Sequence, residues 1–265
     1  MILSLLETPT KINLPDSIYG WMGLGLYCLL FFLCMIHWWD IPLSVIRRKW
    51  QLLVFLFIAI VPANLFLGIG SNTLESIPDL NGQMPGMVFS AVPWFLISAF
   101  FGPVLGGMAG LFSGFLQAFW STNSLFTPFI LAISASLAGV CFRQKYRGGI
   151  YSAFRHPIGA AGFAAFSAYL LSSVSAFVSA GNLPPVMVDA FLMNWRTDLI
   201  SFVFPMMIAG IIGEGLYKQK IGPWRRNVVL LPSTDEGFAE SKFWRIALPV
   251  SFLFIFIFSQ ITWNI

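Results

Sequence analysis

Long apolar runs separated by short polar breaks dominate this chain, with little period-2 or period-3.6 alternation inside the runs. A helix of about 20 apolar residues crosses a hydrocarbon core about 30 Å thick. Runs of that kind occupy 18–38, 51–70, 124–142, 157–180, 191–217 and 246–264. The stretch 87–120 is too long for one span and is broken by Gly102 and Pro103. Its pattern predicts two helices, 87–101 and 103–120.

The positions of the cations decide how these runs are threaded. Every Lys and Arg except Lys11 and Arg196 falls within 47–49, 143–155 or 218–245. A Lys or Arg at a bilayer centre costs roughly 2.5–3.5 kcal/mol on insertion scales, and such residues gather on the cytoplasmic side. The three clusters are therefore expected on one side, which requires an even number of crossings between the first and the second. Splitting 87–120 into two spans satisfies that parity. The expected fold is all-α: a polytopic integral membrane protein of eight transmembrane helices, with both termini extracytoplasmic. Residues 1–265 form one transmembrane domain. Its six-helix core covers 50–217, flanked by spans 18–38 and 246–264 and a cytoplasmic loop 218–245. The outer segment 71–86, rich in Gly, Pro, Asn and Ser, is expected to be irregular. Residues 1–17 lack a basic leader, so the first span is expected to act as an uncleaved signal.

Composition agrees with this threading and narrows the function. A chain that is 57% hydrophobic and 10% charged belongs in the cell (inner or plasma) membrane, with the lipid bilayer as its first partner. Trp38, Trp39, Trp50, Trp120, Trp195, Trp244 and Trp263 fall near predicted span ends, as an interfacial aromatic belt requires. The net charge of +4 lies in loops that would face anionic lipid and does not indicate nucleic-acid binding. Cys28, Cys34 and Cys141 lie in apolar segments, at spacings that suit neither a disulfide framework nor a metal site. No phosphate loop, zinc-protease helix, nucleophile elbow or intramembrane Ser/Lys or Asp/Asp pair occurs. Neither catalysis nor a cofactor nor a metal is expected.

The sharpest local pattern is Gly102, Gly106, Gly110 and Gly114, followed by Ala118, every four residues. Such a row gives a helix face without side chains, against which another backbone can pack closely. It is expected to be a helix-packing surface; the alternative is a ligand cavity or sliding interface. Small residues on two other spans suit it as partners: Ala132, Ala135, Ser136 and Gly139, and Ala160, Ala164 and Ala168. Ionisable and polar residues inside spans are candidate site residues. Asn194 and Asp198, four apart, share a face near the outer end of span 191–217, and Arg196 lies between them. These three would bind an anionic ligand from outside, or Arg196 would extend to the outer headgroups while Asp198 pairs locally. Asn64 and Gln117 lie deeper and complete a ligand-binding set, or serve as interhelical glue. Glu214 is a proton or ion site, or a partner of Lys218 one turn on. Prolines 62, 93, 103, 128 and 205 interrupt or start spans, and broken helices at membrane depth commonly line a cavity.

A resemblance enters at 94–142. The residues Trp94-Phe95-Leu96, Phe101-Gly102-Pro103-Val104-Leu105-Gly106-Gly107, Thr127-Pro128-Phe129 and Ser136-Leu137-Ala138-Gly139 carry it. The region resembles the central part of substrate-binding (S) components of energy-coupling-factor vitamin transporters. It is also similar to the multi-span input modules at the front of bacterial sensor proteins. The likeness covers about 50–217. It implies a six-helix ligand-binding core and, in the two families, either transporter partner subunits or downstream signalling domains. The extra span at each end departs from an S component. The loop at Pro232-Ser233-Thr234, followed by an outward-leading span, resembles the lead-in to an extracytoplasmic sensing domain. The expected function is a non-catalytic sensory or ligand-binding membrane module that takes a small-molecule ligand. The alternatives are a small-solute transporter component and a structural membrane scaffold.

Overall fold

The computed structural model describes residues 14–15, 18–39, 43–65, 68–69, 86–145, 149–179 and 202–221. Their regular structure is helical apart from one two-residue antiparallel ladder, Gly68–Ile69 against Gly86–Met87. The helices are α1 (Ile18–His37), α2 (Leu43–Leu65), α3 (Val92–Phe101), α4 (Pro103–Gln117), α5 (Thr127–Phe142), α6 (Gly149–Arg155), α7 (Pro157–Ser179) and α8 (Phe204–Lys218). A five-residue π-helix, Ala118–Thr122, extends α4. Prolines start α3, α4, α5 and α8 within the first turn, where the missing N–H would have no helical partner anyway.

Several predicted boundaries move. α2 begins at Leu43 rather than at 51, because Val45 and Ile46 pack on the core ahead of the cationic turn. Its backbone leaves helical geometry at Lys49 (φ −126°, ψ 25°). The cationic segment 143–155, between two predicted spans, contains the short helix α6. α3 starts at Val92, five residues later than expected; Met87, in the ladder, is buried, as are Val88, Ser90 and Ala91 of the turn that follows. Two of the described helices, Ile18–His37 and Pro157–Ser175, are long and apolar enough to cross a membrane. Val92–Phe101 and Thr127–Phe142 are apolar but shorter. At about 1.5 Å per residue, α3 reaches about 15 Å, half a hydrocarbon core. The final predicted span, 246–264, most of the loop 218–245 and nearly all of 71–86 lie outside the described residues.

The split at Gly102 is a reversal. Gly102 adopts φ 95°, a left-handed value that a side chain disfavours, and the chain turns back on itself there. A Cβ on Gly106 would collide with the Oγ and Cα of Ser98, so residues eight apart in sequence lie side by side. α3 and α4 are thus an antiparallel hairpin. Arg143, just beyond α5, closes it by donating from Nη2 to the Phe101 carbonyl oxygen at 2.9 Å, across the face of Gly102.

Paired contacts give each helix a direction. α5 runs antiparallel to α4, with Gly114 beside Pro128, Gly110 beside Leu131 and Ala135, Gly107 beside Ser136, and Gly139 beside Pro103. α1 runs parallel to α5, through Tyr27 on Phe126 and Phe31 on Phe129, and antiparallel to α7, through Tyr27 on the Leu171 carbonyl oxygen and Gly23 on Val178. α8 runs antiparallel to α7, with Gly210 against Ala161 and Gly213 against Pro157. Lys49 sits over the Phe100 ring, 5.1 Å from its centroid, so α2 begins where α3 ends. The consequence is a segregation of charge. Every Lys and Arg among the described residues, namely Arg47, Arg48, Lys49, Arg143, Lys145, Arg155, Lys218 and Lys220, lies at one end of the bundle. The core between the ends is Trp94, Phe95, Phe101, Ile97, Ile130 and Ile133 with the alanines of α5 and α7.

The glycine row is not one surface. Four residues turn a helix through about 400°, so a row at that spacing drifts by about 40° per step. Gly102 is the hinge, Gly106 faces α3, and Gly107, Gly110 and Gly114 face α5. Of the expected partners, α5 receives the row; α7 packs its alanines against α5 and α8 instead.

Candidate functional site

At the end opposite the cations, three helices contribute to one buried polar chain. α2 supplies Asn64, 2% exposed, one residue before its C-terminus. α4 supplies Ser113 and Gln117, four apart and therefore on one face. Asn64 donates from Nδ2 to the Ile60 carbonyl oxygen at 2.8 Å and to Ser113 Oγ at 3.0 Å. Its Oδ1 accepts from Ser113 Oγ at 3.2 Å and from Gln117 Nε2 at 3.0 Å. The Asn64 amide is therefore fully engaged, whereas Gln117 offers only one N–H to it.

The chain continues into the π-helix. Thr122 Oγ1 lies 3.5 Å from the Gln117 carbonyl oxygen, as donor, and 2.7 Å from Thr127 Oγ1 at the start of α5. Asn123 follows at φ 52°, and Ser124 Oγ accepts from the Phe126 N–H at 3.3 Å, which sets the entry into α5. A π-turn widens the helix by one residue and leaves backbone carbonyls less regularly paired; such turns recur at functional sites. Every side chain in this chain is neutral, and no charged residue among the described ones lies at this end. Buried neutral amides need partners, since an orphaned polar group costs about 1–3 kcal/mol. The arrangement can therefore bind a neutral hydrogen-bonding group or join α2, α4 and α5 by itself.

Asn64 and Gln117, named together from sequence as part of a ligand-binding set or as interhelical glue, are in direct contact. Asn194, Arg196 and Asp198 lie outside the described residues. Ser113, Thr122 and Thr127 were missed. Ser113 was detectable, since it precedes Gln117 by one helical turn; the two threonines meet only through the π-turn. Glu214 does not reach Lys218. Its Oε2 lies 3.9 Å from His156 Nδ1 at the cationic end, and the His156 ring lies 4.7 Å from that of Tyr217. Among the described residues no three His, Cys, Asp or Glu side chains gather as a metal would need, and Cys28, Cys34 and Cys141 are free thiols.

Comparison of the chain with protein-family models, with curated proteins and with solved structures found no match in any of the three.

Proposed function

We propose that this chain is a non-catalytic sensory module embedded in the cell membrane, with eight transmembrane helices, the cationic end cytoplasmic and both termini outside. The observation that carries the reading is the neutral polar chain Asn64–Ser113–Gln117, continued by Thr122 and Thr127, at the end opposite the cations. In an apolar bundle such groups are retained where they are satisfied or used. The turn 88–91, buried except at Phe89, favours the same reading, because non-helical backbone at membrane depth is tolerated where protein or a cavity covers it.

In this mechanism a neutral small molecule with amide or hydroxyl groups takes hydrogen bonds from Gln117 and the π-helix. The tight α4–α5 seam moves as one body, and the π-helix is the pliable joint. Binding shifts the population of two packings only by its difference in affinity for them. The six-helix core, the Asn194, Arg196 and Asp198 set and the outward-leading last span remain parts of this proposal. The test is a thermal-unfolding screen of the full chain in detergent against neutral amides, polyols and vitamin-like solutes. A solute that raises the midpoint of the native chain and not of Gln117→Leu supports sensing through this site. A screen that moves neither protein, both being folded, removes it.

A transporter substrate-binding component is the second reading, favoured by one observation: α2 begins and α8 ends at the same end of the bundle. Saturable solute uptake by cells, lost on deletion of the chain, separates it from sensing.

A further inference from the structure

α2 bears an outward strip whose chemistry changes along its length. Arg47, Arg48, Trp50 and Gln51 are exposed at its start, and Val54, Phe55 and Ile58 are exposed beyond them. Of the other residues of the first turns, Leu43 and Ser44 are also exposed, and the rest are used inside the fold. Val45 and Ile46 pack on the core, and Lys49, at the backbone break, lies over Phe100. Two guanidinium groups are left facing outward. Glu214, the only carboxylate among the described residues, is on α8, with its Oε2 3.9 Å from Nδ1 of His156 in the bend between α6 and α7.

Guanidinium groups bind phosphate oxygens in bidentate fashion, and Trp favours the level between headgroup and hydrocarbon. Eight residues separate Trp50 from Ile58, about 12 Å along the helix axis beyond the break at Lys49. One leaflet of hydrocarbon is about 15 Å deep, so cations and apolar strip match the two parts of one lipid. We infer that this strip of α2 is a binding site for an anionic phospholipid. Arg47 and Arg48 hold the headgroup phosphate, and Val54, Phe55 and Ile58 line the upper acyl chain. The inference rests on the proposed membrane residence and not on ligand sensing.

The test uses the full chain in a mild, neutral detergent, with bound phosphatidylglycerol and phosphatidylcholine counted by native mass spectrometry. Phosphatidylglycerol is expected to bind at least tenfold more tightly. Arg47→Gln or Arg48→Gln should each weaken it roughly fivefold and the pair roughly 25-fold, with phosphatidylcholine unchanged. Arg47→Lys with Arg48→Lys should keep a reduced preference, and Phe55→Asn should weaken both lipids. Equal affinity for the two lipids in the native chain, or an undiminished preference in the folded Gln pair, overturns the site. Displacement of phosphatidylglycerol by an equal concentration of inorganic phosphate also overturns it, in favour of a free-anion site. Recovery of the native chain from cells without detergent would instead refute membrane residence itself.

Discussion

Helix α4 is held on one side by α5 and on the other by α2, and the two seams use opposite chemistry. Against α5 it presents Gly107, Gly110 and Gly114, and backbone meets backbone: a Cβ at Gly110 would lie 2.6 Å from the Leu131 carbonyl oxygen. Against α2 it presents Ser113 and Gln117, and two side-chain amides with one hydroxyl span the gap. In the proposed membrane setting, surrounding lipid would give little hydrophobic drive to bring helices together, leaving close approach or hydrogen bonding to do it. The glycine seam depends on shape and has no slack. The amide seam depends on mutual satisfaction, so it can exchange one partner for another.

This contrast is open to direct attack by substitution. Gly110→Leu should have the largest effect, because its side chain meets backbone that cannot move aside. A loss of about 3 kcal/mol or more is expected, read as failure to yield folded protein or a collapsed midpoint in detergent. Normal stability would mean the α4–α5 seam is loose. Asn64→Leu should cost about 1–3 kcal/mol by thermal or denaturant unfolding, since it orphans both Ser113 and Gln117. A double-mutant cycle of Asn64→Ala with Gln117→Ala should give a coupling of about 0.6–1.7 kcal/mol. Zero coupling would dissolve the polar chain as a unit. Gly162→Ala is the control, for nothing lies within 4 Å of the added methyl. Helix propensity predicts stabilisation by up to about 1 kcal/mol, and a loss there would show that glycine itself, rather than contact, matters.

The two seams were unequally readable in advance. A four-residue glycine row announces a smooth helix face, but its drift around the axis assigns Gly106 to α3 and Gly110 to α5 only once both neighbours are in place. Asn64 and Gln117 stood out because amides are rare in apolar runs; their meeting needed α2 and α4 to lie side by side in the same direction. Lys49 and Arg143 read as simple loop cations, yet one lies over Phe100 and the other caps the broken α3. Long cationic side chains reach several ångströms, so spacing along the chain does not say which carbonyl or ring they find.

What the amino-acid order determined by itself is the helical class, the break at Gly102 and Pro103, and the grouping of cations between apolar runs. Those follow from local rules: proline lacks an N–H, glycine tolerates left-handed backbone, and charge avoids apolar surroundings. The tertiary structure alone decided that the break is a reversal, which glycine meets which helix, and that Asn64, Ser113 and Gln117 form one chain. The last joins residues 53 positions apart, and all three are set by packing across the whole bundle.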